Sequence, residues 1–106
     1  MSSEIKRKTS GLLTICLKAG KAVKGFDSAK EAADTGKAFC ILTAADASEK
    51  TVKEVRFFSG KDNIPVYATE LDKSEIGKLC GKDTAVIAVC DKGFAGGFER
   101  ILGTTQ

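Results

Sequence analysis

Two continuous apolar runs decide most of what this chain can become. Residues 38–44 read A-F-C-I-L-T-A and residues 84–90 read T-A-V-I-A-V-C. Neither run alternates apolar with polar residues, so neither suits a strand with one wet face. Both have the pattern of strands buried on both faces, which requires helices on each side of the sheet. A third run, Ile64 to Ala68, reads as another buried strand, with Pro65 tolerated near its start.

The segments between these runs carry helix signals. Leu12, Cys16 and Ala19 fall at i, i+4 and i+7, Thr9-Ser10 can cap a helix over roughly 11–19, and Gly20 is a natural stop. Ala22-Val23-Lys24 is short and extended at best. A second helix is expected from Asp27 or Ser28 to Gly36. Asp46 and Glu49 have the spacing of a capping box, and Val52, Val55 and Phe58 form the apolar edge behind it. Residues 59–63 read as a loop. Asp72 and Glu75 form a second capping box, with Leu71 and Ile76 at staple positions, and that helix ends at Gly81. A final helix from about Phe94 places Phe94, Phe98, Ile101 and Leu102 on one face. Gly96 and Gly97 weaken it by about 1 kcal/mol each relative to alanine.

The fold class is therefore α/β, a three-layer α-β-α sandwich with a small sheet. A chain of 106 residues is enough for one core, so residues 1–106 form a single domain. Residues 1–9 read as a solvated basic lead and 103–106 as a frayed tail. No apolar run approaches the roughly 20 residues of a membrane span, and the N-terminus lacks a secretory h-region. The expectation is a cytoplasmic protein without a membrane partner.

Charge is unevenly spread. Residues 1–37 hold 8 Lys/Arg against 4 Asp/Glu, whereas residues 38–106 hold 9 against 10. Six basic residues and no acid lie between Lys6 and Lys24. A one-sided basic field favours a polyanionic partner. The stretch Gly20–Gly36 joins that charge to a helix start, whose free N–H groups and dipole suit phosphate. Lys18 and Lys21 share a face if the first helix persists that far, with Lys24 just beyond. Ser28 and Glu31 also have the spacing of a capping box, a purely structural use of those residues.

Several catalytic readings fall away. G-K-L-C-G-K-D-T at Gly77–Thr84 has the wrong spacing for a phosphate loop and runs from helix into strand, the reverse of what such a loop needs. D-K-G-F-A-G-G-F at Asp91–Phe98 does not match a dinucleotide fingerprint. Asp91 at a strand end has no nameable partner base or nucleophile. The four cysteines, Cys16, Cys40, Cys80 and Cys90, are far apart and unaccompanied by histidine, so they read as small buried hydrophobes and not as metal ligands. No enzyme activity, cofactor, metal or small-molecule substrate is expected.

Five blocks together carry a likeness: L-L-T-I-C-L-K-A-G-K-A-V-K-G (Leu12–Gly25), G-K-A-F-C-I-L-T-A-A-D-A-S (Gly36–Ser48), N-I-P-V-Y (Asn63–Tyr67), I-G-K-L-C-G-K (Ile76–Lys82) and V-C-D-K-G-F-A (Val89–Ala95). In this order the chain resembles the bacterial YlxQ-like branch of the ribosomal protein L7Ae/L30e superfamily, over roughly residues 10–102. The resemblance implies an L30e-like sandwich with a small mixed sheet that binds kink-turn RNA. It places the contacts at Gly25–Glu31, at the start of the second helix, and at a base-covering loop, Lys82, Asp83, Thr84 and Ala85. Structured RNA, ribosomal RNA above all, is the implied partner, with the ribosome as a candidate host.

The likeness is imperfect at the contacts. The superfamily pattern G-x-N-E-x-x-K falls here on Gly25, Asp27, Ser28 and Glu31. The glycine is kept, an amide becomes a carboxylate, Glu becomes Ser, and a cation becomes an anion. Lys30 returns a positive charge one position over, on a different face. The expected phosphate contacts are Lys18, Lys21, Lys24 and Lys30. The alternative is a protein-interaction module that keeps the fold and has lost the RNA.

Overall fold

The computed structural model describes residues 2–103, with side chains from residue 4 onward. Five helices surround a four-stranded sheet: α1 (Ser2–Lys18), β1 (Ala22–Lys24), α2 (Phe26–Asp34), β2 (Cys40–Thr43), α3 (Glu49–Gly60), β3 (Val66–Ala68), α4 (Lys73–Cys80), β4 (Val86–Val89) and α5 (Lys92–Leu102). The strand order is β1-β4-β2-β3. β4 pairs antiparallel with both β1 and β2, whereas β2 and β3 are parallel and α3 crosses between them.

The two apolar runs form the central strands, and every residue of β2 and β4 is buried. Their side chains alternate between two cores, as the pleat requires. Cys40, Leu42, Ile87 and Val89 join Leu13, Cys16, Ile76, Phe98 and Leu102 from α1, α4 and α5, with Leu71 from the segment leading into α4. Ile41, Val86 and Ala88 join Ala29, Ala32, Ala33, Val55 and Phe58 from α2 and α3. The result is the three-layer sandwich that the patterning predicts, with a mixed sheet.

Several glycines and caps fall where expected. At Gly20 (φ 71) and Gly36 (φ 75) the chain turns left-handed, and paired bonds close each helix end in a Schellman arrangement. These are Gly20 N to Leu17 O with Lys21 N to Cys16 O, and Gly36 N to Ala33 O with Lys37 N to Ala32 O. The Asp72–Glu75 capping box is formed in both directions, at 2.7 and 2.9 Å.

Other expectations are corrected. The basic lead is not solvated coil, because α1 begins at Ser2. Ile5 and the fully buried Thr9 carry the apolar stripe of Leu13 and Cys16 backward, so Thr9 is core and not a cap. Lys6 pairs with Glu75 at 2.9 Å and ties that first turn to α4. The helix expected to start at Asp46 is capped by Ser48, which accepts from Thr51 N at 3.1 Å; Asp46 instead accepts from Lys73 N at 2.8 Å. Residues 59 and 60 are helical, with the Ser59 hydroxyl donating to Val55 O at 2.6 Å, so the loop shifts to 61–65. β3 is a half-exposed edge strand and not a buried one. α5 starts at Lys92, two residues earlier than expected, because Asp91 caps it through Phe94 N at 2.9 Å. Of the expected frayed tail, residues 104–106 lie outside the described residues, and Gly103 follows the last helical turn. Among the described residues, no helix is long and apolar enough to cross a membrane.

Candidate nucleic-acid interface

The chain leaves β1 at Lys24 and enters α2 through Gly25, whose φ of 98° and ψ of 154° are open to glycine almost alone. No atom stands near the position a Cβ would take, so backbone conformation, not packing, demands this glycine. Gly25 N donates to Val86 O at 2.8 Å, and Gly25 O accepts the first helical bond, from Ala29 N. The N–H groups of Phe26, Asp27 and Ser28 are left without helical acceptors. α3, α4 and α5 each have a capping side chain, but α2 has none. Ser28 is therefore three residues inside the helix, and the expected Ser28–Glu31 capping box does not exist.

The second expected element lies directly beside this helix start. α4 ends at the left-handed Gly81, and the chain passes through Lys82–Ala85 into β4, where Val86 receives the Gly25 bond. Lys24 Nζ donates to Cys80 O at 2.5 Å, placing a cation on the carbonyl end of α4. Lys82 and Asp83 are exposed at the loop tip. Thr84 is not available for contact: it is buried, its hydroxyl donates to Lys82 O at 2.7 Å, and it lies 3.3 Å from Cys80 Sγ. Ala85 is half-buried against the α2–α3 core.

Between these elements runs an open groove of about 620 Å³, lined by Thr14, Leu17, Lys18, Val23, Lys24, Ser28, Leu79 and Cys80 among others. Its floor is apolar and its cations are Lys18 and Lys24. The Lys18 side chain makes no ion pair or hydrogen bond with another described residue. Two of the expected phosphate contacts lie elsewhere. Gly20 turns the chain, so Lys21 is not on the helix face of Lys18; it sits at the opposite end of β1 from Gly25, where its carbonyl accepts from Cys90 N. Lys30 points into a groove between α2 and α3 and pairs with Asp34 at 3.1 Å.

Glu31 follows Ser28 by one turn and lines a smaller groove over β1 with Val23, Thr35, Cys90 and Lys37. Lys37 was not among the sequence candidates. Its signal was present, since a residue just past a Schellman glycine folds back against the last turn. Beyond its first turn the exposed face of α2 carries Glu31 and Asp34 beside the paired Lys30, and Asp27 stands in the first turn itself, so an anion meets its donors at the backbone N–H groups of the helix start.

A family model described as the ribosomal protein L7Ae/L30e/S12e/Gadd45 family matches residues 7–95. The chain is similar to RNA-binding protein YlxQ of Enterococcus faecium, at 30% identity over 95 residues, covering 90% of this chain and 91% of that protein. It is also similar to large ribosomal subunit protein eL30 of Candida albicans, at 27% identity over 81 residues and 76% of each chain. Among solved structures, a Bacillus halodurans protein of unknown function superposes with a TM-score of 0.82 at 25% identity, covering 91% of this chain and 96% of that one.

Proposed function

We propose that this chain, which belongs to the ribosomal protein L7Ae/L30e/S12e/Gadd45 family, is an RNA-binding protein of ribosomal type that grips structured RNA at the start of α2. The observation that carries the reading is the uncapped first turn behind Gly25, hydrogen-bonded to the strand that the 82–85 loop enters. Free N–H groups can take phosphate or base-edge acceptors, Lys18 and Lys24 in the adjoining groove supply positive charge beside the acidic Asp27, and the apolar groove floor suits a splayed base. The names of the YlxQ and eL30 relatives support the same class. Kink-turn or related ribosomal RNA is the candidate ligand and a cytoplasmic, ribosome-associated setting the candidate location.

The altered contacts make this a different binder from the superfamily pattern. Asp27 can only accept hydrogen bonds, and Glu31 repels phosphate. Contact with the helix body is thus disfavoured, and affinity concentrates on backbone donors and lysines. The test is a titration of a kink-turn RNA and a plain duplex at two salt concentrations. Tighter binding of the kink-turn is expected, and Lys18→Glu should weaken it. Glu31→Lys should tighten it by about two- to tenfold, as a charge reversal near phosphate implies. Equal affinity for both RNAs removes kink-turn specificity. Absence of binding to either at low salt removes RNA and leaves the protein-interaction module.

A further inference from the structure

We infer that the outer face of α3, with the groove it shares with α2, is a second nucleic-acid surface that stacks the bases of single-stranded RNA. It extends the proposed RNA-binding reading beyond the structured element at α2. Phe57 is 70% exposed, the largest exposure among the outward-facing large hydrophobic residues of the described chain. Beside it lies an open groove of about 550 Å³ lined by Phe26, Lys30, Lys53, Glu54, Phe57 and Phe58. Phe26 and Phe58 meet edge to face at 5.6 Å and form a rigid aromatic floor.

The charge pattern chooses the occupant. Lys50, Lys53, Phe57 and Lys61 are all exposed and fall at i, i+3, i+7 and i+11, one stripe about 16 Å long. The Lys61 ammonium lies over one face of the Phe57 ring, 5.1 Å from its centroid, so a base stacks on the other face or displaces the ammonium, which then stays within reach of that nucleotide's phosphate. An aromatic platform interleaved with lysines is the arrangement by which proteins hold single strands without reading sequence. One acid lines the same space. Glu54 forms part of the groove wall, where it can accept from the N–H edge of a base but not face a phosphate, and Asp34, outside the lining, pairs with Lys30. The surface is also continuous with the first site, because Phe26 is the first residue of α2. A strand leaving the helix start reaches Phe57 by crossing about one helix diameter, ~10 Å.

Two probes test this: an oligouridine of about 12 nucleotides, and a kink-turn RNA with and without a single-stranded oligouridine tail. Wild-type protein should bind oligouridine and bind the tailed RNA more tightly than the tailless one. Phe57→Ala, at an exposed position the fold does not need, should lower oligouridine affinity about 5- to 150-fold, the loss expected for one stacked base. It should leave the tailless RNA unaffected. Lys53→Gln should flatten the salt dependence for oligouridine by about 0.7 in log–log slope. Backbone amide shifts on adding oligouridine should centre on Phe26, Lys53 and Phe57. No oligouridine binding, equal loss on tailed and tailless RNA, or shifts confined to Lys18 and Lys24 would each overturn the inference. So would a dimer that Phe57→Ala dissociates without oligouridine binding, since the groove would then serve a protein. Failure of the primary reading is seen separately, as loss of tailless RNA binding by the wild type.

Discussion

At the scale of single residues, three helical glycines that look alike in the sequence carry different loads. A Cβ on Gly96 meets nothing within 4 Å, whereas on Gly97 it comes within 2.8 Å of Leu12 Cδ2, the movable end of a side chain. On Gly77 it falls 2.8 Å from Asp83 N and 2.9 Å from Lys82 C, backbone atoms that cannot turn aside. Gly96→Ala should therefore stabilise by up to about 1 kcal/mol through helix propensity. Gly97→Ala should come out near neutral, because repacking of Leu12 offsets that gain. Gly77→Ala should lose about 1–3 kcal/mol, the usual cost of overpacking. Urea denaturation of the three variants checks the order, and a stabilised Gly77→Ala would refute the close approach of α4 to the 82–85 loop. Helix propensity alone assigns Gly96 and Gly97 the same penalty, because the neighbour that separates them, Leu12, lies 85 positions away on α1.

At the scale of elements, the start of α1 and the start of α4 stabilise each other through Lys6 and Glu75. Glu75 is held below the ordinary glutamate value by the Asp72 N–H of its capping box and then by Lys6, and Lys6 is raised by its hydrogen bond to Glu75. For an acid lowered on folding, the stabilisation is complete above its unfolded value and is lost as pH falls through the native one. For a lysine raised on folding, it is complete below the unfolded value and is lost as pH rises through the native one. Urea midpoints should thus fall as pH drops below the ordinary glutamate value of 4.5, and Glu75→Gln should make that acid limb shallower. An unchanged limb in the variant would show that other carboxylates govern it. The Asp72–Glu75 box was legible because both partners are local. The helical character of residues 2–9 was not, because it rests on distant partners: Lys6 on Glu75, and Ile5 on the core of α4 and α5. The candidate site divides the same way. Gly25 and the start of α2 could be read from local chemistry. The burial of Thr84, the diversion of Lys21 and Lys30 to other faces, and the place of Lys37 all depend on how strands and helices pack.

At the scale of the molecule, the two cores share one sheet, so neither can open without exposing β2 and β4. Cys16 on α1 and Cys40 on β2 are both fully buried, one in the helical layer and one in the sheet, and both belong to the α1–α4–α5 core. Burial pushes the Cys16 thiol up to about 11 and the Cys40 thiol up to about 12. The thiolate is the reactive form, so neither should alkylate in the folded state at pH 8. Their labelling then reports opening of the structure. If the sandwich unfolds as one unit, iodoacetamide should modify Cys16 and Cys40 at the same rate, with the same steep dependence on urea. Cys80 and Cys90, only half-buried at the edges of the fold, are controls that can react without global opening. Site-resolved mass spectrometry of protein labelled over a urea series makes the comparison. Earlier labelling of Cys16 than Cys40 would mean that α1 detaches while the sheet stays closed. That outcome would matter for binding, because α1 carries Lys18 and forms one wall of the groove beside α2. A wall that opens by itself would let the groove widen around its ligand, whereas simultaneous labelling means that RNA meets a preformed surface.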